Sequence, residues 1–352
     1  MKKVLLSILA VAAMASCVQS EDVNPQQLID FGSPFVGGTT KAIDYSYGAN
    51  NLLNEIYVYG SLKGTAANPV KVFDYTCVST TTTNETVADD IYGDDKVWQC
   101  ETPKYWVKDA DYKFVALAGV AETAVTKYAL PSVDAYLPSK ITFAGNGKTD
   151  LLLSAVGRSN AKSKDNETVK FAMQHLLSKV KFTFNATTLG DNYYQVTDIK
   201  IANAYTQGNC AISYTGVVDD SNWAATTTWT TTGVAGVDFG HATNATTESA
   251  AAANIGSGAS VTSNYDHLVV PCDYPAGSEL QVSFKLALYD QSGVEINIPT
   301  EKTAKVAINL QSGFQYNFIV NLESQQLIDF TVSGAPAWDS EITDPVVSGT
   351  FN

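Results

Sequence analysis

Short runs in which apolar and polar residues alternate dominate this chain, and a two-residue period commits a segment to a strand with one buried face. Val180-Lys181-Phe182-Thr183-Phe184 alternates without a break, and so does the stretch from Tyr194 to Ala202. β-Rich runs bounded by turn residues predict further strands at Asn54–Tyr59, Val70–Val78, Tyr112–Ala118, Leu280–Tyr289, Thr303–Leu310 and Gln315–Leu322. Helical periodicity is scarce beyond residue 16. The strands fall into two sets on either side of residues 160–175, and Asp150 to Arg158 lies between them. This pattern predicts an all-β chain of two β-sandwich domains in tandem, at 42–170 and 171–352. Two stretches read as long decorated loops instead: Thr226 to Thr232, and the Ala-, Gly- and Ser-rich residues 233–260.

The first residues follow a different pattern. Lys2 and Lys3 precede an apolar run from Val4 to Met14 that is too short to span a bilayer. Ala15 and Ser16 then lead into Cys17, so residues 1–16 read as a secretory signal peptide ending in a lipobox-like Met14-Ala15-Ser16-Cys17. Cleavage before Cys17 and acylation of its thiol are the expected outcome, giving an exported, membrane-tethered protein. Residues 17–41 then comprise a polar tether, a short strand at Leu28-Ile29-Asp30-Phe31, and a Gly37-Gly38-Thr39-Thr40 linker ending at Lys41.

Composition narrows the function. A formal charge of −14 argues against nucleic acid and anionic membrane as electrostatic partners. Arg158 is the only arginine, so no arginine cluster is available for phosphate or carboxylate recognition. Beyond Cys17 four cysteines remain, at 77, 100, 210 and 272, and three connectivities are open to them. In an exported chain Cys77 with Cys100 is the favoured disulfide. No spacing of Cys and His suits a metal. Gly145-Asn146-Gly147-Lys148-Thr149 lacks the first glycine of a phosphate loop and reads as a turn. The aspartates at 89, 90, 94 and 95 lack the ordered ligand spacing of a calcium loop and read as a solvated acidic loop. His175, His241 and His267 stand near no nucleophile elbow. An enzyme is not expected, and neither is a cofactor.

One repeat stands out. Gln26-Gln27-Leu28-Ile29-Asp30-Phe31 recurs without change as Gln325-Gln326-Leu327-Ile328-Asp329-Phe330. As strands, the copies have the same facing: Ile29 and Phe31 share one side, as do Ile328, Phe330 and Val332. One end of the chain is thus suited to a slot that fits the other.

Several segments together resemble the fimbrillin family, the lipoprotein precursors of type V pili. Lys104-Tyr105-Trp106 followed by Tyr112-Lys113-Phe114-Val115-Ala116-Leu117 is similar to a strand of that family. Asp150-Leu151-Leu152 with the run from Val169 through Phe171, His175, Ser178 and Lys179 to Val180 resembles its domain junction. Gly313 to Phe318 and the late Trp338 are similar to its C-terminal strands, and Ser20-Glu21-Asp22 to its outer-surface sorting signal.

The resemblance implies two transthyretin-like β-sandwich domains and a structural pilus subunit, lipidated at Cys17 and facing outward from the outer membrane. It further implies that a protease removes an N-terminal segment, here after Lys41 so that Ala42 leads, and vacates the groove held by Leu28, Ile29 and Phe31. A neighbouring copy or related subunit would then fill that groove with a C-terminal strand, for which Leu327, Ile328, Phe330 and Val332 are the candidates. Oral members of the family are cut after arginine, whereas this linker offers only lysine. Two other readings of the chain are a monomeric surface glycan-binding lipoprotein and a pilus tip adhesin with an unidentified surface receptor.

Overall fold

The central feature of the computed structural model is one long hairpin, Tyr193–Thr215 paired with Ala224–Gly240, which runs through both halves of the molecule. The structure describes residues 28–32, 34–36, 55–81, 97–100, 102–145, 147–159, 168–187, 189–218, 222–244, 250–323, 328–336 and 345–351. Among them no helix is long and apolar enough to cross a membrane, and the secondary structure is almost wholly strand.

The first sandwich is built on a seven-stranded sheet. Its order is Phe35–Val36, Ala172–His175, Leu152–Ser159, Asp111–Ala118, Glu55–Lys63, Val70–Thr81 and Val97–Cys100. The central strand explains the layering. Phe114-Val115-Ala116-Leu117-Ala118 is apolar at every position and buried throughout, so both faces of this sheet must be covered. On one face Val115, Leu117 and Tyr59 meet Ile141, Phe143, Cys210 and Ile212. Those residues lie on Pro138–Ala144 and the far half of the long hairpin, which pair at Gln207–Ala211. On the other face Tyr112, Phe114 and Ala116 meet Ile29, Phe31, Val169 and Phe171. The first sandwich therefore takes part of its cover from residues beyond 170.

The second sandwich packs the sheet Ala242–Thr243, Ser260–Ser263, Ser178–Ala186, Phe314–Leu322, Ile328–Pro336 and Pro345–Phe351 against a second one. The facing sheet holds Thr300–Val306, Leu280–Tyr289 and the near half of the long hairpin. Ser178–Ala186 and Phe314–Leu322 run parallel, and the remaining pairs are antiparallel. The alternation of Val180, Phe182 and Phe184 puts all three in the core, where Phe182 stacks on Phe318 at 4.9 Å between ring centres.

Between the sandwiches the hairpin register shifts four times from Ile199 to Gly208, and a bulge there increases local twist. Beside it Gly119 lies at φ +76°, where a Cβ would fall 1.7 Å from the Asp150 carbonyl oxygen, so only glycine fits the turn. Asp150 in turn accepts from Leu151 N–H at 2.8 Å and bonds His175 Nδ1 at 2.5 Å, a pair that fastens the end of Ala172–His175 to the start of Leu152–Ser159.

Residues 226–240 are not loop, as their composition suggests. They form the second arm of the long hairpin, from Ala224 to Gly240. Threonine is β-branched and suits a pleated surface, and the alternate positions of Thr226–Thr232 face inward around Trp229. The Trp229 indole donates to the Leu176 carbonyl at 3.0 Å.

Candidate assembly surface

The segment Leu28–Val36 forms no continuous strand of its own. Leu28 makes an antiparallel bridge to Tyr105, Phe31 a parallel bridge to Val169, and Phe35–Val36 runs parallel to Ala172–His175. Backbone bonds fix it on both sides: Ile29 N–H donates to Lys104 O at 2.8 Å, Val169 N–H to Asp30 O at 2.8 Å, and Gly32 N–H to Val169 O at 2.9 Å. Alternation does the rest. Ile29 and Phe31 are 3% and 5% exposed, while Leu28 and Asp30 face solvent.

Phe31 sits at the centre of an aromatic pocket. Its ring stacks on Phe171 at 5.9 Å and meets Phe73 and Phe114 edge-on at 5.5 and 6.2 Å. Trp106 and Tyr112 continue the pocket at 4.7 Å, and Tyr112 Oη accepts from Val107 N–H at 2.6 Å. Burial holds the Tyr112 hydroxyl above its usual pKa, so it stays neutral. The pocket is apolar, with backbone donors and acceptors along its rim, which is the chemistry that binds an extended peptide.

The second copy of the repeat occupies a different place. Ile328–Pro336 lies between Phe314–Leu322 and Pro345–Phe351 in the second sandwich, with Ile328 opposite Leu322 and Phe330 opposite Val320. Ile328, Phe330 and Val332 are all buried in that core. The two copies thus present the same side chains inward, each to its own sandwich. The outer strand Pro345–Phe351 is absent from the strands that alternation predicts, although its spacing carries a signal. Gly349 lies opposite Phe330, where a Cβ would stand 2.8 Å from the ring, and Phe351 packs at 4.8 Å from Phe284. A small residue under an aromatic, two before a final Phe, marks a strand that closes over a large side chain.

The expected Cys77–Cys100 disulfide is not made. Cys100 stands opposite Val78, which places its side chain on the opposite face of the sheet from Cys77. Cys100 Sγ instead donates to Thr102 O at 3.1 Å, and burial raises its pKa. Burial likewise pushes the Cys210 thiol up to about 12, leaving it unreactive at neutral pH. Cys17, Lys41, Ala42, Leu327 and Trp338, together with the acidic residues 89–95, lie outside the described residues.

A fimbrillin-like family model matches residues 58–336, most of both sandwiches. Among solved structures, a fimbrial protein from Bacteroides vulgatus is similar with a TM-score of 0.56 at 15% identity, over 88% of this chain and 99% of that one. A fimbrial assembly protein from Parabacteroides distasonis is similar at a TM-score of 0.40 and 12% identity, over 85% of this chain and 94% of that one. No curated protein matches. With the family model covering well over half of its length, this chain belongs to the fimbrillin-like family.

Proposed function

We propose that the chain is a structural subunit of a surface pilus, exported as a lipoprotein precursor and assembled by strand exchange once its N-terminal segment is removed. The observation that carries this reading is the segment Leu28–Phe31, seated by side chains and backbone bonds in an aromatic groove and repeated in sequence at Leu327–Phe330. Removal of residues up to Lys41 would leave Phe73, Phe114 and Phe171 uncovered and several backbone groups unpaired. A neighbour's Ile328 and Phe330 match the side chains lost.

The donor's position favours release. Ile328–Pro336 and Pro345–Phe351 are the last two strands of the sheet, so both can peel away while Phe314–Leu322 keeps its pairing with Ser178–Ala186. The strand leaves one apolar slot and enters another, so its own side chains pass between like surroundings. The processing step is tested by N-terminal sequencing of sheared fibres, which should begin at Ala42. Asp329→Cys combined with Lys170→Cys should then crosslink between subunits, and only after processing. A mature N-terminus at Cys17 in assembled material, or crosslinks confined to single subunits, would rule the mechanism out.

Tethering before assembly rests on Cys17. Cells fed an alkyne fatty acid should label the wild-type precursor and not Cys17→Ala, which should also be poorly delivered to the outer membrane. Label retained by the variant would refute acylation at this thiol.

A further inference from the structure

The long hairpin defines two ends of the molecule. Tyr193 lies at one, paired with Tyr289 and Gly256, and the neighbouring Tyr194 Oη donates to Glu323 O at 3.1 Å. Thr215 lies at the other, at the tip of the first sandwich, where Lys63 pairs with Asp111. Among the described residues, every strongly exposed large apolar side chain except Val234 sits at one of these ends. Apolar side chains scattered singly over a surface carry no message, but segregation to two poles does.

At the Tyr193 end the exposed group is a hairpin tip. Val294, Ile296 and Ile298 are 61%, 51% and 82% exposed, so three apolar side chains crowd into residues 294–298 of the tip. The tip is fixed before any partner arrives. Asp290 Oδ1 accepts from the N–H groups of Ser292 and Val294 at 2.8 and 2.9 Å. Asn297 Oδ1 accepts from Leu288 N–H at 2.7 Å, and Ile296 N–H donates to Leu288 O at 2.8 Å. A rigid apolar loop loses little entropy when it docks.

At the opposite end Leu28, Val70, Tyr105 and Val107 are each 39–51% exposed. Tyr105 and Leu28 flank the mouth of the Phe31 groove. We propose that the hairpin tip 294–298 of one subunit docks against the first-sandwich end of the next copy, around Tyr105 and Val107, as a second head-to-tail contact separate from the exchanged strand.

The occupant follows from where the exchanged strand begins. Ile328 lies opposite Leu322 at the same end as the tip, where Tyr194 Oη donates to Glu323 O, and the groove opens at Leu28, at the other end. A strand passing from one copy to the next brings these two ends together. Each patch alone is small for a stable interface. Joined to a strand, the contact becomes intramolecular in effect and needs little area to set the angle between subunits. This inference rests on the pilus reading above.

The test places a benzophenone amino acid at position 298 of the full chain and irradiates fibres sheared from cells. Crosslinked peptides should join position 298 to residues 104–107 of a second copy. Ile298→Asp should lower fibre yield about tenfold while leaving the precursor's Tm unchanged, as expected for a single apolar anchor. Fibres of normal yield from Ile298→Asp, or crosslinks only to other surfaces, would overturn the contact and leave strand exchange standing. Wild-type cells that form no polymer of this chain would bring down the pilus reading, and the contact with it.

Discussion

Phe330→Asp should destabilise the precursor itself, before any assembly step. Phe330 is 3% exposed, lies opposite Val320 and packs edge-on to Phe351 at 5.1 Å. Losing a buried phenyl ring costs about 3–5 kcal/mol, and a carboxylate placed in the same pocket has no partner there. Taking about 4 kcal/mol and about 2–4 °C per kcal/mol for a domain of this size, Tm should fall by about 8–16 °C. Thermal unfolding of the purified precursor, followed by circular dichroism, measures it. A shift within about 2 °C, the scale of an ordinary surface substitution, would mean that Phe330 does not sit in its own second sandwich.

This expectation separates two ideas that the repeat alone leaves merged. A donor strand held loose until assembly would tolerate the Phe330→Asp change in the precursor, because Phe31 would still fill the first groove. A strand seated in its own core would not. The structure seats it, with nine paired positions against Phe314–Leu322. Exchange from this state takes the strand out of its own slot and into a vacated one, and fibre formation then depends on how far the first-sandwich groove has been emptied.

How much of this the sequence carried depends on which residues set the pattern. Where one face is buried, as in Ser178–Ala186, alternation locates the strand to within two residues. Leu280–Tyr289 lies where its apolar period puts it. The long hairpin is harder to read, because threonine fills both faces of its second arm and gives no contrast between inside and outside. Its bulges also break the period between Ile199 and Gly208, so the strand beginning at Tyr193 looks as though it stops at Ala202.

The groove was legible only by half. The Leu28–Phe31 repeat marked what fills it, but Val169 and Phe171, which line it, stand far from that segment in sequence and belong to the run that joins the sandwiches. The cysteine pair failed for a simpler reason. Proximity across two strands says nothing about facing, and an offset of one residue puts two side chains on opposite sides of a sheet.

Phe31→Ala should weaken the precursor and leave the processed subunit untouched. The ring contacts Phe73, Phe114 and Phe171, and its removal should cost about 3–5 kcal/mol. That cost falls on one segment held at its edge by the bonds to Lys104 and Val169 and the short pairing of Phe35–Val36, so the segment should open while both sandwiches stay folded. At about 1.4 kcal/mol per decade, a loss of about 4 kcal/mol raises the open population close to a thousandfold. An open groove beside seated donor strands is the state that processing is proposed to create. Uncleaved Phe31→Ala precursor should therefore form slow, concentration-dependent oligomers that the wild-type precursor does not. A chain beginning at Ala42 lacks residue 31 and should assemble identically from either gene. Size-exclusion chromatography of both precursors, with hydrogen exchange at Ile29 and Val169, reads opening and oligomerisation separately. Fast exchange at these two amides with no oligomers would keep the segment as a cover and deny that the groove accepts a neighbour. Exchange as slow as wild type would mean that Phe31 does not hold the segment in place.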